Sequence, residues 1–270
     1  FRRSRIDVMG QHYRILVPEA EYPGYRARLL ALLDDEPVSG SLKDVEVKGR
    51  RADGTEFPME VSISNSTSLT GPEFVVASVR DISERKAVQD ALHYRLGFEN
   101  LIAEISANFI DLPAASINEG IDDALRRIGE FANADNAYVA RFHNDNSRFS
   151  RSHDWCSTSL RQRVAELQDL EASQFPWWMA KLLAGTPIAI DELSLLPDEA
   201  SSERSKLELV GIRSIVEVPM YSQGVVTGFL GLSMIRTRRS WTSDDIALLE
   251  LTGQIVTNAL TRKETDEELL

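Results

Sequence analysis

The most reactive residue types in this 270-residue chain come together in one short stretch, His153-Asp-Trp-Cys156. A histidine, a carboxylate and a thiol could bind zinc or activate a nucleophile. The stretch has the pattern of a β-strand, so neighbouring side chains point to opposite faces, and no second His or Cys follows at ligand spacing. We therefore expect no metal site here, and we expect Cys156, the only cysteine, to be a small buried thiol.

Motifs of enzyme chemistry are missing from the sequence. The glycine-rich run Gly224-Val-Val-Thr-Gly-Phe-Leu-Gly231 could suggest a phosphate loop. It opens no helix, however, and glycines inside strands usually mark turns or close backbone approach. No segment resembles a histidine-kinase phosphoacceptor box, an ATP-binding lid, the loop of diguanylate cyclases, a Walker loop or a His-Glu-x-x-His site. We assign no catalytic residue.

Composition and charge exclude several classes of protein. The chain has 43% hydrophobic and 27% charged residues, as in ordinary globular proteins, and no apolar run approaches the ~18 residues of a membrane span. A net charge of -12 argues against a nucleic-acid partner, which would require clustered Lys and Arg. A single cysteine fits a reducing compartment, so we expect a cytoplasmic protein. The ends of the chain, Phe1 and an unfinished helical pattern at Leu270, suggest a fragment.

Hydrophobic periodicity predicts an α+β fold in two parts, each with paired strands and with helices. The first part has strand patterns over 42–50, 56–64 and 74–80, with a tight turn at Asp53-Gly54. The second part has a helix over 117–133, strands over 137–143 and 148–155, a long hairpin over 214–236 and a last helix from Ser243. Two further helices are predicted over 25–33 and 160–170.

One long helical run joins the two parts. It contains no Pro before Pro113, and its apolar residues recur at alternating steps of three and four, as in a coiled-coil seam. Arg95 is the one charged residue in this series. We expect the helix, together with the C-terminal helix, to pair with its copy in a homodimer, and Arg95 to weaken that pairing. The series is Val88, Ala91, Arg95, Phe98, Ile102, Ile105, Phe109 and Leu112.

Three motifs in the first part resemble the PAS domain family. They are Arg3-Ser-Arg-Ile-Asp-Val-Met-Gly10, Gly49-Arg-Arg-Ala-Asp-Gly-Thr-Glu-Phe-Pro58 and Val79-Arg-Asp-Ile-Ser-Glu-Arg-Lys86. The resemblance covers residues 1–90 but lacks the first two of the family's five strands. It implies an N-terminally truncated PAS-like domain at 1–83, followed by a linker or signalling helix at 84–112.

Three runs in the second part resemble the GAF domain family. They are Gly211-Ile-Arg-Ser-Ile-Val-Glu-Val-Pro-Met220, the glycines of 224–231, and Trp241-Thr-Ser-Asp-Asp-Ile-Ala-Leu-Leu249. The resemblance implies a GAF-like domain over 113–262, with a first helix that can begin near 98, and the start of an output helix at 263–270. Together the two resemblances imply two α+β domains, each an antiparallel sheet flanked by helices. PAS followed by GAF recurs in bacterial sensor histidine kinases and diguanylate cyclases, so the pair implies a sensory input module.

The GAF resemblance also implies where a small molecule would bind. The aromatic residues of 175–178 lie in the segment that overlies the sheet in GAF folds, so they are either hydrophobic core or the roof of a pocket. Polar residues on the expected floor argue for a pocket, because an inward polar side chain needs a partner. The candidate ligand-binding residues are Tyr138, Arg141, His153, Phe175, Trp178 and Val218.

Two ligand classes of GAF relatives are not favoured, and the sequence identifies no cofactor. Relatives that attach a bilin use a Cys-His pair that is absent here, and those that bind cyclic nucleotides carry Asn-Lys-x-Phe-x-Asp-Glu, of which only Asp191-Glu192 is present. We expect a sensory input module of a bacterial signalling protein. The alternatives are a fragment of a signalling enzyme, with its histidine kinase or diguanylate cyclase domain beyond Leu270, and a ligand-free dimerisation scaffold.

Overall fold

A computed structural model describes residues 1–27, 41–66, 74–157 and 168–268. Backbone contacts divide the chain into two units, Phe1–Tyr94 and Arg95–Leu270. Of the helix predicted over 25–33, only residues 25–27 are described, and they are helical. The helix predicted over 160–170 lies mostly outside the described residues, and it is wrong at Leu170, which forms a strand because it pairs with Phe149.

The first unit is built on a three-stranded antiparallel sheet in the order β1 (Ser41–Arg50), β2 (Glu56–Ser66), β3 (Phe74–Asp81). A short helix, α1 (Arg5–Val8), precedes it. Gly54 forms the first hairpin turn at φ 86°, a conformation that glycine adopts without strain. The predicted hairpin is therefore confirmed. The buried apolar cluster in the described part of this unit consists of Val17, Phe57, Met59 and Val61, and Ile82 is also buried.

Helix α2 (Ser83–Ile110) runs across the boundary between the units. Its start is capped by Asp81, whose carboxylate accepts the Ser83 backbone N–H at 2.9 Å. Hydrogen bonds from Ser83, and then from Arg51, lower the pKa of Asp81 to about 2. The helix begins at Ser83, one residue before the predicted start at residue 84.

The predicted coiled-coil seam is wrong in its second half. Phe98, Ile105 and Phe109 are buried inside the second unit, so they cannot face a copy of the helix. Arg95, at the centre of the predicted seam, is exposed in the single chain, and its place in a dimer stays a prediction. Its side chain is 53% exposed and pairs with Glu99 at 3.0 Å and with Asp244 at 3.5 Å. The apolar spacing arose because this part of the helix covers its own domain.

The second unit contains a six-stranded antiparallel sheet in the order β6-β5-β4-β9-β8-β7. Successive residues of each strand lie on opposite faces of such a sheet. This alternation decides which side chains can meet at a site. The strands are β4 (Asn136–His143), β5 (Arg148–Cys156), β6 (Leu170–Glu171), β7 (Ile188–Ile190), β8 (Ser214–Ser222) and β9 (Val225–Met234).

Helices cover both faces of this sheet. The face that we call the helix-bundle face packs against the end of α2, α3 (Ile117–Phe131) and α6 (Ser243–Glu268). Gly129 lets α3 approach the sheet, since a Cβ there would lie 2.3 Å from the Trp155 ring. The opposite face, which we call the cavity face, is covered by α4 (Pro176–Leu183) and α5 (Ser201–Leu209). The predicted antiparallel sheet flanked by helices is confirmed.

No helix in the described part of the chain is both long enough and apolar enough to cross a bilayer.

Candidate functional site

A small cavity of about 50 Å³ lies between the cavity face of the sheet and helices α4 and α5. Its walls are mainly aromatic and aliphatic, and Phe175, Trp178 and Met179 lie over it on the helical side. Three polar side chains also line it: Tyr138, Arg151 and Glu217. An apolar hollow with a few polar groups is the usual form of a small-molecule site.

Glu217 is the hub of the polar groups. It is 4% exposed, and its two carboxylate oxygens accept hydrogen bonds from two different elements. The Trp178 indole N–H of α4 donates to Oε2 at 2.5 Å, and the Tyr138 hydroxyl of β4 donates to Oε1. One carboxylate therefore joins strands β4 and β8 to the helix that covers the cavity.

Burial has the largest effect on the pKa values of Glu217 and Tyr138. Burial raises the pKa of Glu217, although hydrogen bonds from Tyr138 and Trp178 and the charge of Arg151 act in the opposite direction. Burial, and then the neighbouring Glu217 charge, raise the pKa of the Tyr138 hydroxyl well above its ordinary value. The tyrosine therefore stays protonated and acts as the donor.

Arg151 contributes a buried cation beside the pair. Its side chain is only 5% exposed, and its guanidinium carbon lies 3.8 Å from the centre of the Tyr138 ring. Its Nη1 donates to Asn136 Oδ1 at 3.1 Å and to Asp154 Oδ1 at 3.2 Å. These contacts hold the guanidinium over the floor of the cavity.

The surrounding chain makes room for these groups and positions them. Gly231 leaves space for the tyrosine and the glutamate, since a Cβ there would lie 2.6 Å from Tyr138 and 2.9 Å from Glu217. Glu203 fixes the start of α4, because its Oε1 accepts the backbone N–H groups of Trp177 at 2.8 Å and Trp178 at 3.3 Å. The Trp178 side chain is thereby held at the cavity.

The structure separates the six predicted ligand-binding residues into two groups. Tyr138, Phe175 and Trp178 line the cavity. Val218 belongs to the core of the helix-bundle face, and Arg141 and His153 line a different cleft. The physical reason is strand alternation. Residues 138 and 141 are three apart on one strand, so they face opposite sides.

A bulge in β5 decides which polar residue reaches the cavity. The register between β4 and β5 shifts between Val139 and Ala140, so that Arg151 pairs with Ala140 while His153 pairs with Val139. Arg151 therefore shares the cavity face, and His153 lies on the other face. A bulge of one residue is not visible in the sequence pattern.

The residues that form the polar part of the cavity together with Tyr138 were not among the predicted binding residues. They are Glu217 and Arg151, and Gly231, which leaves space for Tyr138 and Glu217, was not predicted either. A signal for Glu217 was present, because it is the one charged residue in the otherwise apolar run of 215–220. A charge in a buried strand needs partners and marks a polar site. Val218, which was chosen instead, is the next residue along and faces the other way.

Cys156 is buried at the end of β5, as predicted. Its sulfur accepts a hydrogen bond from the Asn136 amide at 3.2 Å and lies 3.6 Å from Asp154 Oδ2. Burial, and then the charge of Asp154, raise the pKa of the thiol to about 11. Such a thiol is rarely the thiolate that covalent attachment requires.

Comparison with known families decides the assignment of the second unit. The sequence profile of the GAF domain matches residues 116–260, which is more than half of the chain. The chain belongs to the GAF domain family. The GAF domain predicted from the sequence is confirmed. The six-stranded sheet, the residues that line the cavity and helices α3 to α5 fall inside the matched range, whereas α2 precedes it and α6 extends beyond it.

Two curated relatives resemble this GAF protein. The methanogenesis regulatory histidine kinase FilI of Methanothrix harundinacea is 26% identical over the whole of this chain, and the sensor protein FixL of Bradyrhizobium diazoefficiens is 29% identical over 47% of it. The matches cover 30% and 26% of those proteins, so the chain spans less than a third of their lengths. Similarity to signalling proteins supports the predicted role as a sensory input module.

Solved structures show the same fold at low sequence identity. A phycoerythrobilin-bound GAF domain from a cyanobacterial phytochrome matches with a TM-score of 0.53 and 14% identity, over 63% of this chain and 97% of that domain. The chromophore-binding domain of a Stigmatella aurantiaca bacteriophytochrome matches with a TM-score of 0.50 and 15% identity, over 96% of this chain and 86% of that one. At these identities the likeness concerns the fold alone.

Proposed function

We propose that this chain is the sensory input section of a signalling protein, and that its GAF domain binds a small molecule in the cavity on the cavity face. The observation that carries the proposal is the buried Glu217, which holds Tyr138 and Trp178 at the cavity. A ligand that contacts this carboxylate touches the sheet and the covering helix together. It could therefore change how α4 packs.

The size of the cavity bears on the ligand. Pockets for drug-sized ligands have volumes of about 300–1,000 Å³, whereas this cavity has about 50 Å³. We propose a ligand of a few non-hydrogen atoms with a polar group for Glu217 or Arg151. A bilin is not favoured, since it would need a much larger cavity, and Cys156 is buried with a raised thiol pKa.

The first unit and the long helix complete the proposed module. Residues 1–83 form a PAS-like domain, and the supporting observation is the three-stranded antiparallel sheet with its turn at Gly54. Helix α2 then acts as a signalling helix, which is supported by its unbroken course from Ser83 to Ile110. We place the output of the parent protein beyond α6, as a histidine kinase or diguanylate cyclase domain.

We further propose that the module is a homodimer through α2 and α6. The supporting observation is a set of exposed apolar side chains on these helices that the domain core does not use. Leu96 and Ile110 of α2 are 49% and 69% exposed, and Leu251 of α6 is 46% exposed. Ile110 and Ile255 flank one groove between the two helices. A matching face on a second copy would bury these residues.

Native mass spectrometry of the purified chain, followed by a thermal-shift screen of small polar compounds, tests the ligand proposal. We expect a retained or added compound that stabilises the wild type. The stabilisation should be lost in Glu217→Gln and kept in Glu171→Gln, a matched change at an exposed glutamate of β6. If no compound binds, the alternative of a ligand-free scaffold is favoured. If both variants respond like the wild type, the compound binds away from Glu217 and the proposed site is wrong.

A further inference from the structure

Arg141 and His153, which the fold turns away from the cavity, line a second hollow on the helix-bundle face. It has a volume of about 250 Å³ and lies between the sheet, the start of α3 and the last turns of α6. We call it the α6 cleft. Asn118, Ser152 and Lys263 also line it.

The deep part of the α6 cleft presents an unused histidine nitrogen. His153 is only 9% exposed, and its Nδ1 lies 3.0 Å from the Ser152 hydroxyl. Its Nε2 makes no hydrogen bond to any residue that the structure describes. A ring nitrogen that lines a hollow and has no protein partner is free to bond a further group there.

Lys263 and Arg141, two cations that line the cleft with His153, have N–H donors that make no hydrogen bond to the described residues. The Lys263 side chain is 22% exposed and gives one hydrogen bond, to Asn118 Oδ1 at 3.1 Å. Arg141 pairs through one Nη2 with Glu264 at 2.6 Å. An ammonium has three N–H donors and a guanidinium has five. Lys263 Nζ also lies 3.8 Å from Glu267 Oε1, and the Arg141 side chain is 39% exposed. Within the described part of the chain, both groups keep further donors that no protein acceptor uses.

The two carboxylates that line the cleft are exposed to solvent. The side chains of Glu264 and Glu267 are 48% and 63% exposed, so water screens their attraction for the two cations. Asn118 stands in the first turn of α3, at the end where the helix dipole is positive. The cleft therefore holds two cations, Arg141 and Lys263, whose carboxylate partners are screened by solvent.

We propose that the α6 cleft binds a small oxyanion, either a phosphate or sulfate group or the carboxylate of a small acid, held by Arg141, Lys263 and His153. A guanidinium can bind two oxygens of such a group side by side, and an ammonium adds a point charge. The bound oxyanion replaces Glu264 as the acceptor for Arg141. This site lies on the opposite face of the sheet from the cavity, so it does not depend on the proposed function.

Proton uptake should accompany binding. Burial lowers the pKa of His153; the Asp122 carboxylate of α3 opposes this, whereas Lys263 and Arg141 add to it. An anion at Nε2 favours the imidazolium and raises the pKa. Binding therefore strengthens as the pH falls between the pKa of the bound and the free forms. The acidic groups that α6 brings to the cleft, Glu264 and Glu267, bind the two cations whatever the state of the ring.

The test is an NMR titration of the whole chain, labelled at its four histidines, with sodium sulfate, phosphate and acetate in separate arms at constant ionic strength. Sulfate does not titrate near neutral pH, so its arm isolates the proton taken up by His153. We expect saturable shifts of the His153 ring alone, and the arm with the tightest binding identifies the source of the oxyanion. In Arg141→Gln we expect affinity to fall at least about tenfold, because a charge-assisted hydrogen bond is lost.

Two further variants keep the test decisive. Lys263→Gln should also weaken binding, whereas Arg126→Gln, an exposed change on α3 outside the cleft, should leave it as in the wild type. Circular dichroism checks that each variant is folded. The proposal is overturned if His153 does not shift at millimolar anion, or if Arg141→Gln and Arg126→Gln bind equally well.

Discussion

The Trp178 indole N–H and the Glu217 carboxylate lie 2.5 Å apart, in a part of the GAF domain where neither group reaches water. The Tyr138 hydroxyl donates to the same carboxylate. Strands β4 and β8, which flank β9, and the helix that covers the cavity are thus held together by one buried acid.

Replacing Glu217 by Leu should destabilise the domain. The change leaves the Tyr138 hydroxyl and the Trp178 N–H buried without an acceptor, at a cost of roughly 1–3 kcal/mol for each group. Chemical denaturation gives the unfolding free energy. Glu217→Gln keeps one acceptor oxygen and should lose less. If Glu217→Leu is as stable as the exposed control Glu171→Gln, the hydrogen bonds do not stabilise the fold.

Stability should depend on pH through the same residue. Because burial raises the pKa of Glu217 above its ordinary 4.5, the folded state holds this proton more tightly than the unfolded state. The unfolding free energy therefore falls as the pH rises from 4.5 to the pKa in the folded state, and then levels off. Denaturation of wild type and Glu217→Gln across this range isolates the contribution. Parallel curves would contradict the raised pKa.

Filling the cavity should stabilise the protein without ligand and abolish ligand binding. Ala140→Val adds two carbon groups at the cavity wall, worth up to about 1.6 kcal/mol, on the scale of about 0.8 kcal/mol for each buried CH₂. Ala137→Val is the matched control on the same strand. It enlarges a side chain in the closed core of the helix-bundle face, where overpacking costs roughly 1–3 kcal/mol.

Denaturation and the ligand screen report on both Ala140→Val and Ala137→Val. Equal destabilisation by the two variants would show that no usable space lies beside Ala140. Stabilisation by Ala140→Val with ligand binding intact would place the ligand elsewhere.

Cys156 should react slowly with alkylating agents. Its thiol pKa is raised from 9.0 to about 11, so at neutral pH the thiolate fraction is about 100-fold lower than for an ordinary thiol. Iodoacetamide labelling followed by intact mass spectrometry is unambiguous, since the chain has one cysteine. Labelling in urea provides the unfolded reference. A native rate close to that reference would mean that the thiol is exposed or ionised.

Self-association should depend on the exposed face of α6. Leu251→Lys places a charge in the proposed dimer contact and should weaken dimerisation by at least about 2 kcal/mol, the scale of burying one leucine. Leu209→Lys is the control, because Leu209 is 83% exposed on α5, away from the proposed contact. Sedimentation over a dilution series measures both. Equal association of the two variants would remove α6 from the interface.

Local patterns in the sequence were sufficient for the elements of the fold. Strand alternation, the Asp53-Gly54 turn and the long helical run predicted the antiparallel sheets and α2, because these features depend on neighbours along the chain. The GAF motifs could also be recognised from the sequence, since each is a short run of residues at fixed spacing. Pro176, which opens α4, belongs to this group.

Only the tertiary structure decided what packs against each face of a helix or strand. The seam residues Phe98 and Ile105 could have met a copy of the helix or the chain's own core, and their spacing is the same in both cases. The β5 bulge placed Arg151 rather than His153 at the cavity, because one extra residue reverses the facing of a strand. The hydrogen bonds of Glu217 with Tyr138 and Trp178, from distant parts of the chain, required strands and helix to be assembled in space.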